Sequence, residues 1–110
     1  MDVEAVLVVA GEIERAEQAA LDDFVPKDGS DAIGAAYAAG AYEAIDHGWV
    51  DALRAACAPA AGRPQLAHML DMAAFAMAAE SLAASDMLSD LADAVKRGGL
   101  ESFKERWMRC

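Results

Sequence analysis

Val3-Glu4-Ala5-Val6-Leu7-Val8-Val9-Ala10-Gly11-Glu12-Ile13-Glu14-Arg15-Ala16-Glu17 stands at the start of the chain, and its reading decides the fold. Val6 to Ala10 alone is a β-friendly run. The residues after it move in helical rhythm: Val3, Val6, Val9, Ala10, Ile13, Ala20, Leu21 and Phe24 recur at intervals of three and four, which lines one helix face. The stretch therefore reads as a helix from about Val3 to Phe24, with Asp2 as its N-cap candidate. Nothing downstream alternates as a strand does, and 28 alanines favour helix throughout.

Breakers divide the remainder. Val25-Pro26-Lys27-Asp28-Gly29-Ser30 is a turn. A second helix is expected from about Asp31 to His47, capped by Ser30 or Asp31 and ended by Gly48. Its uncharged middle, Ala32 to Tyr42, is rich in small residues that let a neighbouring helix come close. A short third helix, about Val50 to Ala58, stops at Pro59. Pro64 suits the first position of a fourth helix, read from about Pro64 to Ala84. That helix is apolar on two sides, Leu66, Met69, Leu70, Ala73 and Met77 on one, Met72, Phe75, Ala79 and Leu82 on the other. Such a helix is either central or shared between protomers. A fifth helix is expected from Asp86 to Arg97, capped by Ser85 or Asp86. It turns Leu88, Leu91 and Val95 inward, keeps Lys96 and Arg97 at its cation-favouring C-terminus, and stops at Gly98-Gly99. A last helix carries Leu100, Phe103 and Trp107 on one side. The fold class is all-α, a compact bundle of five to six helices in a single domain. The first, second and fourth helices are expected at its centre.

The net charge of −10 over 110 residues argues against direct binding to nucleic acid or to anionic membrane surfaces. Residues 96–110 carry five basic and two acidic side chains, so the remaining body is more acidic than the whole. That body can hold its own basic tail or that of a second copy. Cys57 and Cys110 show no metal-type spacing. Ala32 to Tyr42 is too short to span a bilayer, and the start lacks a basic leader, so a cytoplasmic, reduced protein is expected. There is no Gly-rich phosphate loop, Walker lysine, Cys-x-x-Cys or His-Glu-x-x-His. No cofactor or metal is expected.

Five constellations carry candidate chemistry. Glu17 and Glu80 fall on apolar stripes. With Glu43 and His47 they could hold a metal in a bundle, but Glu43-x-x-x-His47 departs from the Glu-x-x-His spacing of di-metal bundles and has no second copy. The plainer reading makes Glu17 and Glu80 rim residues that snorkel outward and Glu43–His47 a surface pair. His68 and Asp71 are three apart, as an acid–base pair would be, with no nucleophile tied to them. Cys57, near a helix C-terminus, reads as a small core residue, and Cys110 as an exposed thiol. The methionines fill irregular core gaps or serve an adaptable binding surface. Finally, Asp86, Asp90 and Asp93 form an acidic row on the fifth helix, with Asp22 and Asp23 on the first. Spaced carboxylates on a rigid helix can imitate a phosphate backbone, and otherwise form a solvated face.

These patterns support three functional expectations. The leading one is a small acidic, non-catalytic binding protein that inhibits or regulates a basic, nucleic-acid-handling protein or complex through Asp22, Asp23, Asp86, Asp90 and Asp93. In size and charge the chain is similar to phage anti-defence inhibitors and bacterial immunity proteins, a likeness with no matching motif. The alternative is a structural or self-associating module, a homodimer for instance, that uses Met72, Phe75 and Leu82 on the fourth helix. A metal- or small-molecule-binding bundle is the third.

Overall fold

The structure, a computed structural model, describes residues 3–23 and 31–108. The expected Asp2 cap, Phe24, the 25–30 turn, Arg109 and Cys110 lie outside the described residues. Among the described residues six α-helices succeed one another: α1 (Val3–Asp23), α2 (Ala32–Asp46), α3 (Trp49–Cys57), α4 (Pro64–Met77), α5 (Leu82–Arg97) and α6 (Glu101–Met108). A short 3-10 turn at Ala58–Ala60 joins α3 to the loop before α4. The chain is an all-α bundle, and among the described residues there is no strand.

Local chemistry sets most of the boundaries. Asp31 caps α2, its carboxylate accepting from the Gly34 N–H at 2.8 Å. Gly48 takes a left-handed conformation (φ 72°) and turns the chain from α2 into α3. Pro64 opens α4 at a position where its missing N–H costs nothing. Gly98 ends α5 at φ 77°, its N–H returning to the carbonyls of Ala94 and Val95.

The α4–α5 boundary differs from the sequence reading. α4 ends at Met77 rather than Ala84, and α5 begins at Leu82, four residues before the expected start. The cap is Ser81, whose hydroxyl accepts from Ala84 N–H at 3.0 Å, not Ser85 or Asp86. Ser85 instead donates to the Ala74 carbonyl at 2.9 Å and ties α5 to α4. Leu82 thus belongs to α5, and the expected Met72–Phe75–Leu82 stripe of one helix is divided between two.

The centre also differs. α5 is the hub: it packs on α1, α2, α3, α4 and α6. Ala83, Ala84, Met87, Leu88, Leu91, Ala92, Ala94 and Val95 are all buried on it. α4, expected at the centre, lies on the outside of α5 and buries only Ala67, Leu70 and Ala74. α1 and α2 form a second hairpin across α5, through Val6, Ala10 and Ile13 on α1 and Ala36, Gly40, Ala41 and Ala44 on α2. These small α2 residues allow the close approach expected of them. α6 docks through Leu100, Phe103 and Trp107, all buried, as its stripe implies.

Candidate interaction surface

Glu17 is the residue whose place departs most from its sequence reading. It does not snorkel outward: it is 4 % exposed and faces the N-terminus of α5. One carboxylate oxygen accepts from the Ala83 N–H at 2.6 Å and the other from the Leu82 N–H at 3.2 Å. The Ser81 hydroxyl bonds to it as well. A helix start leaves its first N–H groups without internal partners, and its dipole favours a negative charge there. Glu17, from α1, and Ser81, from the chain itself, therefore cap α5 together. Burial pushes the Glu17 carboxyl above its ordinary value, and the donated hydrogen bonds oppose that shift. Gly40 on α2 makes the room: a Cβ there would stand 2.7 Å from Glu17 Cγ.

The acidic row is partly engaged inside the fold. Asp86 accepts the Tyr37 hydroxyl at 2.8 Å. Burial, aided by that bond, raises the Tyr37 phenol to about 12. Asp90 is half-buried, pairs with Arg106 and accepts the Trp107 indole N–H at 3.0 Å. Burial raises its carboxyl while Arg106 and the indole pull it down. Arg106 also lies over the Trp107 ring, its guanidinium carbon 5.2 Å from the centroid. Asp90 and Asp93 line a recess of about 240 Å³ with Arg97 and Arg106, so basic side chains already stand beside them. Asp22, Asp23 and Asp93 are exposed. Elsewhere the basic C-terminal part again meets the acidic body: Lys96 pairs with Asp71 at 3.0 Å. Arg54 on α3 in turn pairs with Glu101 on α6 at 2.9 Å.

The metal constellation does not assemble. Among the described residues no group of three or more His, Cys, Asp and Glu side chains converges. Glu17 is bound to α5, while Glu43 and His47 pair on the surface at 3.1 Å and His47 stacks on Trp49 with centroids 4.9 Å apart. Asp71 pairs with Lys96, and no hydrogen bond or ion pair joins it to His68 among the described residues. Cys57 is buried, and burial raises its thiol to about 11, so it is a core residue as its position at a helix end implies.

α4 is the unusual surface. Its buried side, Ala67, Leu70 and Ala74, leaves Gln65, His68, Met69, Met72, Phe75 and Ala76 toward solvent. None of these is an Asp, Glu, Lys or Arg, and Asp71, at the edge of this side, is paired with Lys96. Phe75 is 81 % exposed, Met72 56 % and Met69 45 %. Beyond the end of α4, Leu21, Ile33, Ala78, Ala79 and Leu82 line an apolar groove of about 350 Å³, with Glu17 and Ser81 at its wall. Phe75, Met72 and Leu82, the candidates for an apolar contact, are thus all exposed, with Leu82 contributed by α5.

No protein-family model, curated protein or solved structure matches the chain. Among the described residues, no helix is long and apolar enough to cross a membrane.

Proposed function

We propose that the chain is a non-catalytic protein-interaction module that docks through the apolar outer face of α4. The observation that carries this reading is the exposure of Phe75, 81 %, beside Met69 and Met72 on the side of α4 that the rest of the bundle leaves open. Leaving a large aromatic in water forgoes roughly 1.5–3 kcal/mol of burial, and buried aromatics dominate interface energies. Methionines beside it supply an adaptable apolar surface. The remaining surface is strongly acidic, which keeps other approaches apart and focuses contact on α4.

A photoreactive phenylalanine analogue at position 75 tests this directly. Irradiation in cells should give a discrete covalent adduct from position 75 and from position 72, and none from the exposed control position Ala55 on α3. Equal labelling at all three positions, or none anywhere, overturns the reading.

A second reading retains the acidic surface as the contact, with a basic nucleic-acid-handling protein as partner. It is supported by the exposed Asp22, Asp23 and Asp93, while Asp90 serves the fold through Arg106 and Trp107. Such binding should weaken steeply between about 0.05 and 0.5 M salt, a range over which the screening length shortens from above roughly 10 Å to a few ångströms. Adducts from position 75 that are indifferent to salt would remove it.

A further inference from the structure

The occupant of the α4 face can also be named, which rests on the docking reading above. We infer that it is a second copy of this chain, laid antiparallel against the first across a twofold axis near Met72. Charge is the first reason. Two chains of −10 repel wherever carboxylates meet, and α4 carries one carboxylate, Asp71, at the edge of its open side and already paired with Lys96 at 3.0 Å. A partner recruited by opposite charge belongs on the acidic faces, whereas an apolar helix face whose one bordering carboxylate is offset by Lys96 is complementary to itself.

The ends of α4 supply the second reason. Arg63 stands at its N-cap and Glu80 three residues past its last turn, both exposed. Neither has an ion-pair partner among the described residues. The midpoint between them falls beside Met72. An antiparallel twofold at that point sets Arg63 of each chain against Glu80 of the other, one pair at each end of the contact. The same register sets His68 opposite Phe75 of the second copy and Met72 opposite Asp71, whose charge Lys96 already offsets, and lets Ala76 admit a close approach. A parallel arrangement would oppose Arg63 to Arg63 and Glu80 to Glu80.

Area sets the strength. Fourteen residues give a contact about 21 Å long. One such helix face is small beside the roughly 800 Å² per partner of a standard interface. The apolar groove of Leu21, Ile33 and Leu82 continues the surface at the end where Pro64 of the second copy arrives. An interface of this size fits a dimer that dissociates in the micromolar range.

Sedimentation equilibrium of the full chain, reduced, from about 1 µM to 1 mM in 0.15 M salt, tests the inference. A monomer–dimer equilibrium is expected. Phe75→Glu should raise the dissociation constant at least tenfold, about 1.4 kcal/mol. Arg63→Glu alone and Glu80→Arg alone should each weaken the dimer several-fold, and the two together should restore it. All these positions are exposed, and thermal melts of each variant verify that the fold is retained. A monomer at 1 mM, or a dimer indifferent to Phe75→Glu, overturns the inference. A dimer sensitive to Phe75→Glu that the double charge reversal fails to restore overturns the antiparallel register. A position-75 adduct with a different protein, from a chain that sediments as a monomer, removes the second copy as occupant and leaves the docking reading standing.

Discussion

Replacing Glu17 by alanine should destabilise the bundle without touching its surface. The carboxylate holds the N–H groups of Leu82 and Ala83 at the start of the central helix. Each donor left unsatisfied in a buried site costs about 1–3 kcal/mol. Two effects reduce the sum. Removing the side chain also removes the desolvation cost of a buried carboxylate, the cost that raises its pKa. The neighbouring groove can admit water to the freed donors. A net loss of about 2–4 kcal/mol remains, which for a domain of this size lowers the melting temperature by roughly 8–16 °C. Gly40→Ala provides an internal check. Its new Cβ would meet Glu17 Cγ at 2.7 Å, so overpacking should cost about 1–3 kcal/mol. In the Glu17→Ala background that collision is gone, and the cost of Gly40→Ala should fall by at least about 1 kcal/mol, the signature of coupled neighbours. Urea denaturation of the four proteins measures the cycle. Additive effects, or a Glu17→Ala midpoint equal to that of the parent, would refute the account of the α1–α2–α5 junction.

The folded-state pKa of Glu17 is raised, so the proton-linked part of its contribution to stability is fully present below the unfolded value near 4.5 and is lost as pH rises through the folded value. Parent relative to Glu17→Gln should therefore gain stability on acidification from pH 7 toward 4.5. An offset between the two denaturation curves that is constant with pH contradicts this. Trp107→Ala should cost about 3–5 kcal/mol, because the indole is buried and its N–H bonds Asp90. Trp107→Phe should cost about 1–2 kcal/mol by leaving Asp90 one donor short, and equal melting curves for all three would place α6 outside the fold. In a Cys110→Ser background, Cys57 should resist thiol reagents at pH 8 and react only as fast as the protein opens. Immediate reaction would show a loosely packed core.

The all-α class was legible because helix signals in this chain are local. Asp31, Pro64 and Gly98 act through their own neighbours, and the i, i+3, i+4 pattern of Leu100, Phe103 and Trp107 needs no distant partner. The α4–α5 boundary was not legible for the converse reason. Ala78 and Ala79 favour helix by propensity, and the break at Ser81 depends on a carboxylate from α1 that meets α5 only in the folded bundle. The centrality of α5 was hidden likewise. Ser85 and Asp90 make it look like a surface helix, yet each finds a tertiary partner, at the Ala74 carbonyl and at Trp107 with Arg106. Glu17 did leave a trace: a carboxylate on an otherwise apolar stripe requires a buried partner or an escape to solvent. The two-sided character of α4 was visible as well, and the structure assigns one side to α5 and leaves the other open.

The central claim is that Phe75 lies outside the packing of its own chain and serves association. Chemical denaturation of Phe75→Glu, run beside the parent at a concentration where both are monomeric, tests it most directly. The account predicts the same midpoint and slope within about 0.5 kcal/mol, as for a surface substitution. A loss above about 2 kcal/mol would place Phe75 in the monomer core and contradict the account.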